Sequence, residues 1–221
     1  MKKNVIFASA LLAVAGSRLA QAQQVAPAGA FPYSHRLSVQ TGLLQDVLLK
    51  GQNLVVAYTT NRLVFDWSHG TSLDFKSGAH TSSGLFGNNQ AYNDQKLNVH
   101  VPWTTGPSIG YRLTPYLNVR AEFKAHQYEV SQVGSDAVLA RYRTYTVGGG
   151  VFYEWYPFRR KSGGLQGLVI EPVARFWTNV GTDLKAGSTY RDGATGTVEP
   201  LSAYQLGLLG NLNIGYTFGG K

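Results

Sequence analysis

The chain has 221 residues, no cysteine, and 20 Lys and Arg against 12 Asp and Glu. Without cysteine it has no disulfide staples, no thiolate metal sites and no thiol nucleophile. The basic residues are scattered; Arg159-Arg160-Lys161 is the one tight group, and it reads as a solvated turn more readily than as a nucleic-acid or anionic-lipid patch.

Residues 1–22 read as a cleaved export signal. Lys2 and Lys3 open it, Val5 to Ala15 is a nearly unbroken run of small apolar residues, and Ala20-Gln21-Ala22 fits a small-x-small cleavage site. The run is too short for a spanning helix, which takes about 20 residues. Cleavage removes Lys2, Lys3 and Arg18 and leaves 17 basic against 12 acidic side chains on 199 residues, the size of one domain. Residues 23–33, with Pro27 and Pro32, read as a flexible leader, and residues 34–221 as the folded domain.

From there the chain alternates apolar and polar residues one for one. Successive strand side chains point to opposite faces, so each segment has one greasy face and one wet face. The first strand runs from about His35 to Leu43, with Leu37, Val39, Thr41 and Leu43 on one face. Residues 44–50 fit either an extension or a helical turn. The second strand, Asn53 to Thr60, turns Leu54, Val56 and Tyr58 outward, and Thr60-Asn61-Arg62 is a tight turn. The third, Leu63 to Phe75, sets Leu63, Phe65, Trp67, Leu73 and Phe75 against Asp66, Ser68, Gly70, Ser72 and Asp74. A long polar loop covers 76–96.

The fourth strand, Leu97 to Leu113, groups Val99, Val101, Trp103, Ile109 and Tyr111 against His100, Thr104, Ser108 and Arg112. Pro102 and Pro107 remove ladder donors and predict a bulge or break. After the turn at Thr114-Pro115, the fifth strand, Tyr116 to Val130, alternates Leu117, Val119, Ala121, Phe123 and Ala125 with Asn118, Arg120, Glu122, Lys124 and His126. The sixth, Arg141 to Phe158, shows Tyr145, Val147, Val151, Tyr153 and Trp155 outward; its Gly148-Gly149-Gly150 relieves crowding or lets the wall bend. The seventh, Leu168 to Thr182, sets Ile170, Ala174, Phe176 and Val180 against Glu171, Arg175 and Asn179. Loop 183–203 is polar, and the eighth strand runs from Tyr204 to Phe218, with even positions apolar.

Eight strands with long loops at one end and short turns at the other predict an all-β fold, an eight-stranded antiparallel up-and-down transmembrane β-barrel. With both termini in the periplasm, the joins at Asn61, Pro115 and 159–167 are periplasmic and the long loops external. Mean hydropathy is slightly negative, as expected of a wall that shows lipid only alternate residues.

On this architecture, and on the terminal strand Asn211 to Phe218, the chain resembles the small eight-stranded outer-membrane barrel proteins of diderm bacteria. That strand is similar to the targeting signal read by the barrel-insertion machinery. Two positions depart: Asn213 stands where a glycine is expected, and Gly219, Gly220 and Lys221 follow the final aromatic. The resemblance implies residence in the bacterial outer membrane as a monomer, contact with outer-membrane lipid, the insertion machinery as a partner in biogenesis, and loops available to an extracellular ligand. It implies no nucleic acid.

Eight-stranded barrels have interiors filled by side chains. The inward charges are Arg36, Asp66, Asp74, Arg112, Arg120, Glu122, Lys124, Glu154, Glu171 and Arg175. They must pair, because a lone buried charge costs several kcal/mol. The expected lumen network is Arg112, Arg120, Glu122, Lys124, Glu154, Glu171 and Arg175. Two aromatic girdles are expected, one of Tyr111, Tyr153, Trp155, Tyr216 and Phe218, the other of Trp103, Phe75 and Tyr204.

No catalytic set, metal site or cofactor is expected. His35, His69, His80, His100 and His126 show no metal-ligand spacing. Some outer-membrane barrels hydrolyse lipid A with a His/Ser pair, but His69 and Ser72 are three apart, which alternation puts on opposite faces. The expected role is structural or surface-interacting. The alternatives are a small-solute pore, a lipid-modifying enzyme, and a soluble lipocalin-like carrier with the faces reversed.

Overall fold

A computed structural model of the chain describes residues 35–75, 90–135, 137–160 and 163–219. The export signal, the leader, Lys161 and most of the loop at 76–96 lie outside the described residues. The elements are β1 (Arg36–Gly42), α1 (Leu43–Leu48), β2 (Gln52–Thr59), β3 (Leu63–Phe75), α2 (Gln90–Asp94), β4 (Leu97–Arg112), β5 (Leu117–Gln132), β6 (Val138–Tyr153), β7 (Leu168–Thr182), β8 (Thr189–Arg191), β9 (Val198–Pro200) and β10 (Gly207–Gly219). Strands β1 to β7 and β10 form a closed ring in which each pairs antiparallel with its neighbours in sequence, and β1 closes on β10. Closure leaves the spanning wall without an edge, as a chain in lipid requires.

The polarity of the wall is inverted relative to a soluble barrel. Phe65, Phe123 and Phe176 are 42%, 45% and 54% exposed. Arg36, Arg120, Glu122, Lys124 and Glu171 are buried. A lipocalin-like carrier needs the reverse. The predicted strands match the observed ones closely at β2, β3, β5 and β7. The ambiguous stretch after β1 is a helical turn, α1. Strand β6 ends at Tyr153, five residues short of the predicted Phe158; beyond it Trp155 keeps one bridge to Ile170, and Pro157 has no N–H to continue a ladder.

Alternation fails at the outer end of β3 and β4, and the consequence is large. Ser72 in β3 takes a left-handed backbone (φ 56), and the β4–β5 register shifts between His100 and Trp103, around Pro102. A one-residue slip moves every following side chain to the other face. Beyond it, Leu73, Phe75, Val99 and Val101 turn inward and are buried, contrary to the outward placement expected from unbroken alternation. Asp74 and His100 swing to the outer surface instead. The outward columns of β5 and β6 change character at a similar level. Val119, Ala121, Phe123 and Ala125 give way to Gln127 and Glu129, and Val147 and Tyr145 to Arg143 and Arg141. Outside that level is water, so the apolar residues belong inside.

Strand β10 shows a related correction. It begins at Gly207 (φ 65), not at Tyr204. From Leu208 to Phe218 the even positions face out as expected, while Tyr204 and Leu206 are buried on the inner side of the break.

The glycine run in β6 makes room. A Cβ on Gly148 would lie 2.1 Å from the Phe176 carbonyl oxygen and 2.3 Å from Trp177 Cδ1, whereas on Gly149 the nearest atom is 3.2 Å away. Gly148→Ala should therefore destabilise the barrel by about 1–3 kcal/mol, the usual cost of overpacking. Gly149→Ala should cost clearly less. Urea unfolding of both variants from the same vesicles measures the difference.

Candidate functional site: the filled lumen and its outer cap

The inward column of β5 reads, from the short-turn end, Asn118, Arg120, Glu122, Lys124, His126, Tyr128 and Val130. It divides the interior into a charged lower part and an apolar upper part. At the bottom, Arg36 is ion-paired with Glu154, and its guanidinium lies 5.2 Å from the centre of the Tyr156 ring. Arg112 donates to the carbonyls of Thr60 (3.2 Å), Asn61 (3.3 Å) and Pro115 (2.8 Å), tying two of the turns together.

Arg120 is the hub. Its Nη1 donates to Asp66 Oδ2 (2.9 Å), Nη2 to Glu171 Oε2 (2.7 Å), and Nε to Asn118 Oδ1 (2.7 Å). Glu154 Oε1 is 3.9 Å from Nη2, and the guanidinium carbon lies over the Phe152 ring, 3.9 Å from its centre. Planar charge and fork geometry let an arginine serve several carboxylates and a ring at once, as a lysine cannot. Asn213 Nδ2 donates to the other oxygen of Glu171 (3.0 Å). The residue standing in place of the expected glycine is thus an inward-facing donor to a buried carboxylate.

One tier up, Arg175 Nη1 lies 3.3 Å from Glu122 Oε1, and Trp177 Nε1 donates to Glu122 Oε2 (2.6 Å). Lys124 Nζ donates to Ser68 Oγ (2.6 Å) and the Gly106 carbonyl (2.9 Å). His126 sits between Thr104 and Thr146 at 2.8 and 2.9 Å. The structure therefore brings Arg120, Glu154 and Glu171 together and pairs Glu122 with Arg175. It gives Lys124 neutral acceptors and Arg112 turn carbonyls. Sequence reasoning named Arg36 and Asp66 only as inward charges. It missed Phe152 and Trp177, although each falls on the inward phase of its strand.

Above His126 the lining becomes aromatic and aliphatic. Tyr128, Tyr142, Trp177, Tyr204, Leu206 and Leu209 pack with the inverted Leu73, Phe75, Val99 and Val101. Loop residues complete the cluster: Tyr92 from α2, and Tyr190 and Leu201 from the β8–β9 hairpin and its exit. Tyr92 donates to the Ser202 carbonyl (2.6 Å) and lies 3.0 Å from the Tyr142 hydroxyl, which accepts from the Tyr204 N–H (2.8 Å). Burial pushes the Tyr92 phenol well above its ordinary range, so it remains a donor. The described end of loop 76–96 and the β8–β9 hairpin, both read from the sequence as polar loop, thus pack onto the mouth of the barrel.

The aromatic girdles are placed as follows. Tyr111, Trp155 and Phe218 are exposed at the short-turn end, with Tyr153 and Tyr216 half-buried beside them. At the other end Trp103 is half-buried, its Nε1 donating to Gln127 (2.6 Å) and Arg143 lying over its ring. Tyr204 and Phe75 belong to the cap, not to a girdle, because the breaks at Gly207 and Ser72 turn them inward.

On the outer surface, cross-strand pairing lines up Asp74, His100, Glu129 and Arg141 in one row. Asp74 binds His100 (2.6 Å) and Glu129 binds Arg141 (2.6 Å). His69 and Ser72, expected on opposite faces, are both exposed, because Ser72 breaks the alternation. Among the described residues no hydrogen bond joins them, and the nearby Asp74 is engaged by His100.

Asp192 tethers the β8–β9 turn. It accepts from the Ala194 N–H (2.8 Å), from Thr195 Oγ1 (3.0 Å) and from Gln132, and the first of these does most to hold its carboxyl below the usual aspartate range. A depressed folded pKa gives stability that is present above the unfolded value and lost as pH falls through the folded one. Amide-exchange protection of the turn should therefore be unchanged from neutral pH down to the ordinary aspartate pKa, and should fall only below it. Asp192→Asn should remove that acid dependence.

No family model and no curated protein matches the sequence. Among solved structures, the chain is similar to Ail, the attachment invasion locus protein of Yersinia pestis. The identity is 11% and the TM-score 0.42, over 84% of this chain and 99% of that one. The same protein in complex with the heparin analogue sucrose octasulfate gives 13% and 0.41, over 84% and 99%. A de novo designed transmembrane β-barrel gives 13% and 0.27, over 85% and 95%. These are distant likenesses of fold, and the assignment stands on the chain's own ring of strands and inverted polarity. With lipid-facing aromatics on the outside and charge within, this chain is an eight-stranded antiparallel up-and-down transmembrane β-barrel, the fold of the small outer-membrane barrels.

Proposed function

We propose that the protein resides in the bacterial outer membrane as a monomer, exported by loss of residues 1–22, with its short turns in the periplasm and its long-loop end outward. Its role is structural or surface-interacting, it performs no catalysis, and its lumen passes no solute. The observation that carries this is the doubly filled interior. Buried ion pairs occupy the lower part, and the apolar cluster with Tyr92, Tyr190 and Leu201 occupies the mouth. Moving a solute through would mean breaking buried pairs, each costly to separate. The outer end offers exposed charges of both signs for a ligand engaged through the loops, with α2 and the β8–β9 hairpin fixing where those loops leave the cap.

Fractionation should place the mature protein in outer membranes, with heat-modifiable migration on gels. Recovery as a soluble periplasmic monomer without detergent would reject the proposal. Planar bilayers should show no stable unitary currents, and their appearance would make the protein a pore. Reconstituted protein should leave lipid A acylated; deacylation lost in Ser72→Ala would make it an enzyme.

A further inference from the structure

Among the described residues, one end of this barrel exposes no acidic side chain. Asp66, Glu122, Glu154 and Glu171 are buried in the lumen. Every other described acidic side chain, from Asp46 in α1 to Glu199 in β9, lies at the long-loop end, where basic residues such as Arg141 and Lys185 are interspersed. The short-turn end carries Arg62 in the β2–β3 turn and Arg159 and Arg160 after β6, and no exposed carboxylate among the described residues. Sequence alone made Arg159-Arg160 a solvated turn. The fold adds Arg62 on another turn of the same rim, where the described residues expose no acidic side chain.

Their height is equally informative. Arg159 is hydrogen-bonded to the Tyr116 hydroxyl and lies 5.9 Å from that ring's centre, and Tyr116 packs on Tyr153 at 6.4 Å. Tyr153 stands beside the exposed Trp155, with Tyr111 and Phe218 at the same end. Aromatic belts sit at the level of lipid headgroups. The Arg159 guanidinium therefore lies where the apolar wall stops and phosphates begin, and Arg62 and Arg160 stand in turns of the same rim. Arginine pairs with phosphate by two parallel N–H donors, and a basic residue near an anionic membrane surface is attracted to it.

We propose that the short-turn rim binds the headgroups of anionic phospholipids through Arg62, Arg159 and Arg160. This rests on the membrane-spanning reading above and names the lipid class that one end selects. The test is urea unfolding from phosphatidylcholine vesicles and from phosphatidylcholine mixed with phosphatidylglycerol. The unfolding midpoint should be higher in the mixed vesicles, and the difference should shrink at high salt, as screening predicts. Replacing all three with Gln should largely abolish the difference, replacing them with Lys should keep part of it, and Arg141→Gln with Arg143→Gln should leave it intact. Because the readout is a difference between lipids, a general loss of stability in a variant does not affect it. Equal midpoints for the unmodified protein, or a difference abolished only by the Arg141 and Arg143 changes, would overturn the inference while leaving the barrel in the membrane. Failure to insert into either vesicle would overturn the spanning reading and this inference with it.

Discussion

Arg120→Ala should be among the most damaging single changes in this barrel, at about 3–5 kcal/mol, the cost of removing one partner from a buried charge cluster. Arg120 donates to Asp66 and Glu171, stands 3.9 Å from Glu154, and covers the face of Phe152. Its loss leaves carboxylates facing one another with Asn213, Ser108, Arg36 and the Tyr156 hydroxyl to share among them. The neighbouring Val119 points outward and is more than a third exposed. Val119→Ala removes about two methyl-sized groups from lipid contact, on the order of 1 kcal/mol. Urea unfolding of both variants from the same vesicles gives the ordering. Greater damage from Val119→Ala would mean that the paired cluster does not hold the lumen together.

Trp177→Ala should cost a similar amount, about 3–5 kcal/mol, the range for emptying a buried aromatic site. Trp177 stands at the junction of the two parts of the interior. Its ring is 5.3 Å from the Arg175 guanidinium and 5.9 Å from His126, and its N–H satisfies Glu122. Trp177→Phe separates the contributions. It keeps most of the packing and deletes the donor, so it should cost about 1–3 kcal/mol, the price of one unsatisfied buried acceptor. Equal losses in the two variants would mean that the hydrogen bond, and not the volume, dominates. Negligible loss in both would contradict the packing around Gly148.

Much of the wall was legible in the sequence because its signal is local. Period-two alternation needs no knowledge of neighbours, and it located β2, β3, β5 and β7 closely. The inward charges other than Asp74 followed from the same phase. Two classes of feature were not legible. The first is the inversion at Ser72 and Pro102. Pro102 announced a break in β4, but a non-glycine residue with a left-handed backbone gives no warning in β3. Alternation carried through it, and so sent Phe75 and Val99 to the wrong face. The second is long-range closure. Nothing in loop 76–96 marks Tyr92 as a core residue, because its partners Tyr142, Tyr204 and Ser202 are supplied from distant strands and loops. Trp177 and Phe152 were discoverable: they share the phase of Arg175 and Glu154, and an aromatic among inward charges signals a cation stacked on its face.

The inversion in β3 and β4 also works as a waterline. Below it the wall suits hydrocarbon, and above it the same strands are built like a water-soluble protein. The depth at which the molecule floats is therefore written into the backbone, independently of the loops. Moving the slip two residues along both strands would shift the boundary by roughly 7 Å of strand. The barrel would then mismatch its bilayer, which must thin, thicken or tilt the protein to compensate.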